Sequence, residues 1–403
     1  MAALKLGAAV VPVNPTYTAR ELLHVLGDSQ ACAWVLPQAQ AGLIQSLDPW
    51  PAALRRDLVV TVDHGPGDGS AWSRWLADGA LLPPLKPVDP PHLGTVANVQ
   101  YTSGTTGFPK GCLLTQGYWL NVAQAASLLH PAPMSRFFTA QPFFYMDPFW
   151  QLLMALRSGG TLVAAQRISA SQFLGWLADH EIEWAQLPEL ALKSLDSVQD
   201  RRFALRQVFT FGWSAAARQT FLQRFPQALA TEGFGMTEIG LGSAMPPGPM
   251  TAERASSVGV AGLRRSLRIV DQAGQPVPAG TTGELQVRGA HLFLGYFNQP
   301  QATAQAFDPD GWFRTGDAFV SDADGYLRIV GRFKDMIRRS SENISAREVE
   351  AVLRLLPEVL DCAALPVPDP VRGEEVMVLL QLQPGAKAAA PARDVLPPER
   401  VIE

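Results

Sequence analysis

Cysteine is scarce in this chain. Cys32, Cys112 and Cys362 lie far apart with no CxxC spacing, which excludes a disulfide scaffold and a cysteine-rich zinc site. The histidines are scattered, without HExxH or paired spacing, so a histidine metal centre is not expected. No apolar run approaches the ~18–20 residues of a membrane span. The opening MAALKLGAAVVPVNP has one lysine, a short apolar part and no clear cleavage site before Pro12, and reads as core sequence of a cytoplasmic protein. Charge is sparse too: 33 basic against 37 acidic residues leave a net −4, which argues against a polybasic nucleic-acid or membrane-surface protein.

Apolar residues, in contrast, make up 47% of the 403 positions, enough for the large buried cores of two or three domains. With 34 glycines and 33 prolines, a loop-heavy α/β protein fits better than a helical bundle. Leu22, Leu23 and Leu26 have helical spacing, and strands are expected at 33–36, 58–62 and 98–102. The proline-rich stretch 81–91 reads as a connector. A helix is expected over 116–129. Beyond it, strands at 161–165, 184–187 and 207–211 alternate with helices at 171–179 and 215–225, which predicts parallel sheets flanked by helices. From Leu267 the texture turns to short strands and turns, an antiparallel, barrel-like piece. After Arg332 a capping box at Ser345 and Glu348 opens a helix to about Leu356, and strands at 360–367 and 375–382 begin a small α/β domain.

The strongest local signal is YTSGTTGFPKG over residues 101–111. Its glycines let backbone amides approach an anion, its hydroxyls add donors, and Lys110 supplies a point charge. It is not the GxxxxGK[ST] nucleotide loop, because Gly104 and Lys110 have the wrong spacing. On the residues alone, phosphate binding and a hydroxyl-rich turn both remain open.

This string resembles the phosphate-loop signature of the adenylate-forming superfamily, which includes acyl- and aryl-CoA synthetases, luciferases and peptide-synthetase adenylation domains. Four further strings resemble that family's signatures in family order: Phe234-Gly-Met-Thr-Glu238, Gly311-Trp-Phe-Arg-Thr-Gly-Asp317, Gly331-Arg-Phe-Lys-Asp-Met-Ile337, and Ser341-Glu-Asn-Ile344 with Glu348 and Glu350. MIRRSSENISAREVEAVLRLLPEV, with PDPVRGEEV after it, is most similar to small-acid and carnitine-type CoA ligases.

The resemblance implies two half-reactions: a carboxylate and ATP form an acyl-adenylate, and a thiol, most naturally coenzyme A, then expels AMP. It implies a large domain over 1–331 and a lid over 332–403 that hinges near Lys334. Thr102, Ser103, Gly104, Thr105, Thr106, Gly107 and Lys110 would hold the outer phosphates. Thr237 would meet the α-phosphate, and Glu238 would help hold Mg²⁺. Gly212, Trp213 and Ser214 would frame the adenine, with Phe234, Gly235 and Met236 beside them. Asp317 and Arg332 would hold the ribose. Tyr145, Leu187 and Trp213 would line the acyl pocket, with Asp147 equally a structural residue. Ser341, Glu342 and Asn343 would face the coenzyme A tunnel, with Ser341 where relatives usually carry glycine.

The family also carries a lysine in a GK-containing segment near its C-terminus. Here the chain stops at residues 397–403, and Lys387 lacks that context; several tens of residues that relatives have before residue 1 are also absent. The resemblance therefore implies a large domain incomplete at its N-terminus and an incomplete lid. It also keeps a second reading, a nucleotide-binding or thiolysis-only protein, and, more remotely, a luciferase-type oxygenase.

Overall fold

The computed structural model describes residues 1–62, 71–80, 90–102, 109–130, 132–193, 203–248, 254, 256–332, 336–339, 342–370 and 373–383. The chain divides into two compact units. The first comprises residues 1–255, 261–266 and 288–311, and the second 256–260, 267–287 and 312–403. Among the described residues no helix is long and apolar enough to cross a membrane.

The first unit opens with α1 (Ala2–Lys5) and α2 (Ala19–Asp28). A capping box starts α2. The Thr18 hydroxyl accepts from the Glu21 amide while the Glu21 carboxylate accepts from the Thr18 amide, which satisfies two otherwise orphaned donors. Leu22, Val25 and Leu26 recur at helical spacing and are buried. Strand β1 (Trp34–Pro37), α3 (Gly42–Gln45), β2 (Val59–Val62) and α4 (Ala71–Ala80) follow, with β1 and β2 parallel. Next comes an antiparallel hairpin of β3 (Val96–Thr102) and β4 (Lys110–Thr115). The connector at 81–91 lies almost wholly outside the described residues. Strand β4 is absent from the sequence reading, which ran the glycine loop directly into a helix.

Thr115 caps α5 (Gln116–Ser127) by accepting from the Tyr118 amide at 3.0 Å. Then β5 (Arg136–Thr139), α6 (Asp147–Arg157), β6 (Thr161–Ala164), α7 (Ala170–Asp179), β7 (Trp184–Gln186), β8 (Gln207–Thr210), α8 (Ala215–Arg224), β9 (Leu229–Met236), β10 (Gly240–Ala244) and β11 (Val260–Ala261) complete a seven-stranded sheet. Its order is β11-β10-β9-β8-β7-β5-β6. The run from β6 to β9 is parallel, as the strand–helix alternation predicts, and β10 returns antiparallel to β9. Phe138, Phe173, Leu177, Ala185, Val208 and Phe221 form the core between this sheet and helices α7 and α8. Each large side chain buried there contributes about 1.5–3 kcal/mol. That rigid layer holds the loops at the ends of the strands.

Helix α9 (Pro300–Ala306) belongs to the first unit. In the second unit, apart from the ends of the first two strands, β12 (Arg265–Val270), β13 (Gly283–Gly289), β14 (Phe313–Ser321) and β15 (Leu327–Arg332) pair in that order. The strands form one open row, so the barrel-like expectation reduces to an open sheet. Strands β16 (Met336–Arg339) and β17 (Glu342–Ser345), α10 (Ala346–Leu353), β18 (Val359–Asp369) and β19 (Gly373–Leu382) build a second sheet in the order β17-β16-β19-β18. Helix α10 stops short of Leu356. Its last turn tightens into i→i+3 bonds, from the Leu355 amide to the Val352 carbonyl and from the Leu356 amide to the Leu353 carbonyl.

Candidate functional site

Within the first unit, the hairpin of β3 and β4 carries the glycine loop at its tip. Thr102 pairs with Lys110 across the hairpin, so the two ends of the loop are pinned together. Tyr101 anchors the start of the loop: its hydroxyl donates to Asp28 Oδ2 at 2.6 Å, and burial together with that carboxylate raises its pKa. His24 Nε2 lies 3.0 Å from the Pro109 carbonyl. Ser103, Gly104, Thr105, Thr106 and Gly107 lie outside the described residues.

Lys110 is half-buried at the mouth of that loop. Its Nζ sits 5.1 Å from the centroid of the Tyr296 ring, a cation–π distance. The Tyr296 hydroxyl donates to Glu238 Oε1 at 2.9 Å. One aromatic side chain thus touches both the expected phosphate-loop cation and the expected metal carboxylate. Burial, with the facing Glu238 charge, pushes the Tyr296 hydroxyl pKa up and keeps it a donor. The backbone holds this arrangement: the Phe297 amide donates to the Gly111 carbonyl, and the Leu113 amide to that of Gly295.

The string Phe234–Glu238 forms the end of β9 and a tight turn into β10. Gly235 pairs with Leu241, and a Cβ at Gly235 would lie 2.6 Å from the Gly240 carbonyl oxygen, so a larger residue would pry the hairpin open. Gly240 has φ +67°, a left-handed conformation that favours glycine. Phe234 is buried, Met236 and Thr237 are half-buried, and Glu238 is buried. Tyr118 donates its hydroxyl to the Thr237 carbonyl at 2.9 Å. Arg265 clamps the next residue, with Nη2 2.7 Å and Nε 3.2 Å from the Ile239 carbonyl. Burial pulls the Arg265 pKa down to about 10, which leaves it charged at neutral pH.

The turn after β8 places Gly212, Trp213 and Ser214. Gly212 has φ +68°, and its amide donates to Glu232 Oε1 at 2.5 Å. Ser214 caps α8 by accepting from the Ala217 amide, and its own amide and hydroxyl donate to Glu189. The Trp213 Nε1 donates to the Leu187 carbonyl at 3.0 Å. Gly212, Trp213 and Leu187 all border a cleft of about 390 Å³ that Asp147 also lines. Tyr145 does not border it. Its ring packs 4.5 Å from that of Phe144, and it is 51% exposed.

In the second unit, Asp317 and Arg332 face each other on β14 and β15, and Arg332 Nε lies 2.8 Å from Asp317 Oδ1. Asp317 is buried. Its amide donates to Thr315 Oγ1, whose hydroxyl donates to the Leu285 carbonyl. Lys334 and Ser341 lie outside the described residues; Glu342 and Asn343 lie on β17.

Tyr296, Tyr118 and Arg265 are missing from the sequence reading. Each belongs to no recognisable string and acts on a partner far along the chain.

Among the described residues no three His, Cys, Asp or Glu side chains group as metal ligands. The single buried carboxylate of Glu238, which accepts from Tyr296, fits Mg²⁺ arriving on a polyphosphate, since Mg²⁺ is commonly held by one or two carboxylates plus substrate phosphates.

Residues 1–297 match the family model described as AMP-binding enzyme. A crotonobetaine/carnitine–CoA ligase of Escherichia fergusonii is 30% identical over 393 residues, covering 95% of this chain and 75% of the relative. A sulfoacetate–CoA ligase of Cupriavidus necator is 31% identical over 395 residues, covering 94% and 74%. ATP-bound MatB from Rhodopseudomonas palustris shares the fold at TM-score 0.82 and 24% identity, covering 98% of this chain and 77% of its own. O-succinylbenzoate CoA synthetase from Bacillus subtilis, in complex with its acyl-adenylate OSB-AMP, superposes at TM-score 0.78 with 25% identity, covering 98% and 77%.

Proposed function

Because the chain belongs to the AMP-binding enzyme family, we propose that its site works as an AMP-forming ligase joining a carboxylic acid to coenzyme A. A carboxylate oxygen of the acid attacks the α-phosphorus of ATP, and pyrophosphate leaves. The thiolate sulfur of coenzyme A then attacks the acyl carbon, the carbon–oxygen bond to phosphate breaks, and AMP leaves. No side-chain nucleophile takes part, so the work is positioning and charge neutralisation.

The observation that carries this reading is the linked group Lys110, Tyr296 and Glu238. It sets a cation at the mouth of a hydroxyl- and glycine-rich loop and a buried carboxylate behind the same ring. Lys110 with Thr102, Ser103, Gly104, Thr105, Thr106 and Gly107 takes the outer phosphates. Thr237 meets the α-phosphate, and Glu238 would hold Mg²⁺, which when bound offsets phosphate charge. Gly212, Trp213, Ser214, Phe234, Gly235 and Met236 surround the adenine. Asp317 and Arg332 take the ribose. Leu187 and Trp213 line the acyl site, whereas Tyr145, expected there from the sequence, lies outside that cleft. On this reading Lys334 would be the hinge of a lid over 332–403, and Ser341, Glu342 and Asn343 would serve coenzyme A. The protein acts in the cytoplasm on a small-molecule acid, without nucleic acid. The two curated relatives are named for acids with tails of opposite charge, so the identity of the acid does not follow from likeness.

The ribose role has a direct test. Asp317→Ala is expected to weaken ATP and AMP binding alike, by about 1.5–3 kcal/mol, because a buried carboxylate loses two charge-assisted hydrogen bonds. In calorimetry with the unaltered protein, 2′-deoxy and 3′-deoxy ATP should also bind more weakly than ATP. Equal affinity for all three nucleotides would remove Asp317 from the site.

A further inference from the structure

Tyr296 stands in contact with two opposite charges that do not meet each other. Among the described residues neither Lys110 nor Glu238 forms a salt bridge. Each instead touches Tyr296: the ammonium sits over its ring, and Oε1 of the carboxylate accepts from its hydroxyl. The backbone fixes the ring in that place. Residues 293–297 run beside β4, where the Leu294 amide donates to the Leu113 carbonyl and Cys112 pairs antiparallel with Tyr296. The Phe293 amide donates to the Glu238 carbonyl at 2.9 Å, and the Tyr296 amide donates to Thr303 Oγ1 at 2.9 Å. This segment therefore ties the strand that closes the glycine loop to the turn that carries Glu238.

A lysine and a buried carboxylate that paired with each other would both be lost to a ligand until that pair broke. A neutral aromatic side chain that engages each separately keeps both charges available. A carboxylate that binds a metal is oriented by hydrogen bonds from its surroundings, and loss of such a partner typically weakens the metal by about 10- to 100-fold. We propose that Tyr296 is a positioning residue with two separable roles: its hydroxyl holds Oε1 of Glu238 and leaves Oε2 for a nucleotide-bound Mg²⁺, and its ring face holds Lys110 for the outer phosphates. The proposal rests on the ligase reading above, because it takes Glu238 as the metal carboxylate and Lys110 as the phosphate cation.

Two variants of the full chain separate the roles. Tyr296→Phe removes only the hydroxyl, and Tyr296→Leu removes the ring as well. Each is titrated calorimetrically with ATP plus Mg²⁺, with ATP plus EDTA, and with AMP. In Tyr296→Phe the rise in ATP affinity that Mg²⁺ confers should shrink by about tenfold, while ATP in EDTA and AMP bind as before. In Tyr296→Leu, ATP in EDTA should also weaken, by about threefold or more, as loss of a cation–π contact implies, with AMP again unchanged. Each effect should vanish where its target is gone. Tyr296→Phe should change nothing further in Glu238→Gln, and Tyr296→Leu should leave metal-free ATP binding unaltered in Lys110→Ala. A tyrosine that only supports the fold would weaken AMP in step with ATP, whichever residue stands at 238 or 110. If Tyr296→Phe keeps the full Mg²⁺ effect, if either variant weakens AMP along with ATP, or if the effects persist in the Glu238→Gln and Lys110→Ala backgrounds, the positioning proposal falls while the ligase reading stands. If Mg²⁺ confers no rise in ATP affinity on the unaltered protein, the ligase reading fails and this proposal falls with it.

Discussion

Glu232→Ala is expected to destabilise the first unit by about 3–5 kcal/mol, the cost of stripping one partner from a buried ion pair. Glu232 Oε2 lies 2.7 Å from Arg218 Nη2, with the two side chains 5% and 6% exposed. The same carboxylate accepts from Thr210 Oγ1 at 2.6 Å and from the Gly212 amide. Arg218 has little else: its Nε and Nη1 have no partner among the described residues. Without Glu232 a guanidinium stays buried with nothing to offset its desolvation. Native domains are stable by only about 5–15 kcal/mol, so the loss takes much of the margin. The Gly212-Trp213 turn also loses the acceptor that fixes it. Urea midpoints report the effect, and adding Arg218→Met to Glu232→Ala should recover part of it by removing the stranded charge. A shift under about 1 kcal/mol, the scale of an exposed pair, would contradict the buried pairing.

Lys110→Ala is expected to weaken ATP binding by about 10- to 100-fold, the value of a hydrogen bond to a charged group, while AMP binding changes little. Lys110 begins β4 at the closing pair of the loop, with its amine over the Tyr296 ring. Such a point charge acts on the phosphates nearest the loop, and AMP lacks the outer two. Lys110→Arg should recover part of the affinity, since charge is kept but the compact ammonium is not. Parallel calorimetric titrations with ATP and AMP decide the matter. Equal losses for both nucleotides would place Lys110 elsewhere than at the outer phosphates.

Much of the candidate site was legible because its chemistry sits in contiguous strings. A strand ending in hydroxyls and glycines and closed by Lys110 reads as an anion loop or a hydroxyl-rich turn, and Phe234–Glu238 stands out only as a string resembling a family signature. The parallel sheet was legible for a similar reason: short apolar strands alternate with helical periods. What was not legible depends on partners distant in sequence. Tyr296 reaches Glu238 across 58 positions, and Tyr118 reaches Thr237 across 119. No period or spacing marks such side chains. The pair Arg218 and Glu232 reads in sequence as two ordinary surface charges, since burial alone makes it a pair. Strand β4 escaped notice because a glycine and a lysine open it, and both look like loop. Asp147 read equally as a pocket residue or a structural one, because only the folded chain shows that it lines the cleft.

The most direct test of the acyl-adenylate itself follows oxygen. An acid labelled with ¹⁸O in both carboxylate positions is turned over with ATP, Mg²⁺ and coenzyme A, and the products are weighed by mass spectrometry. If a carboxylate oxygen attacks the α-phosphorus and the carbon–oxygen bond later breaks, AMP gains one ¹⁸O, pyrophosphate gains none, and the thioester keeps the other. Label in inorganic phosphate with ADP as the nucleotide product, or unlabelled AMP beside a labelled acid, would contradict adenylate formation by this protein.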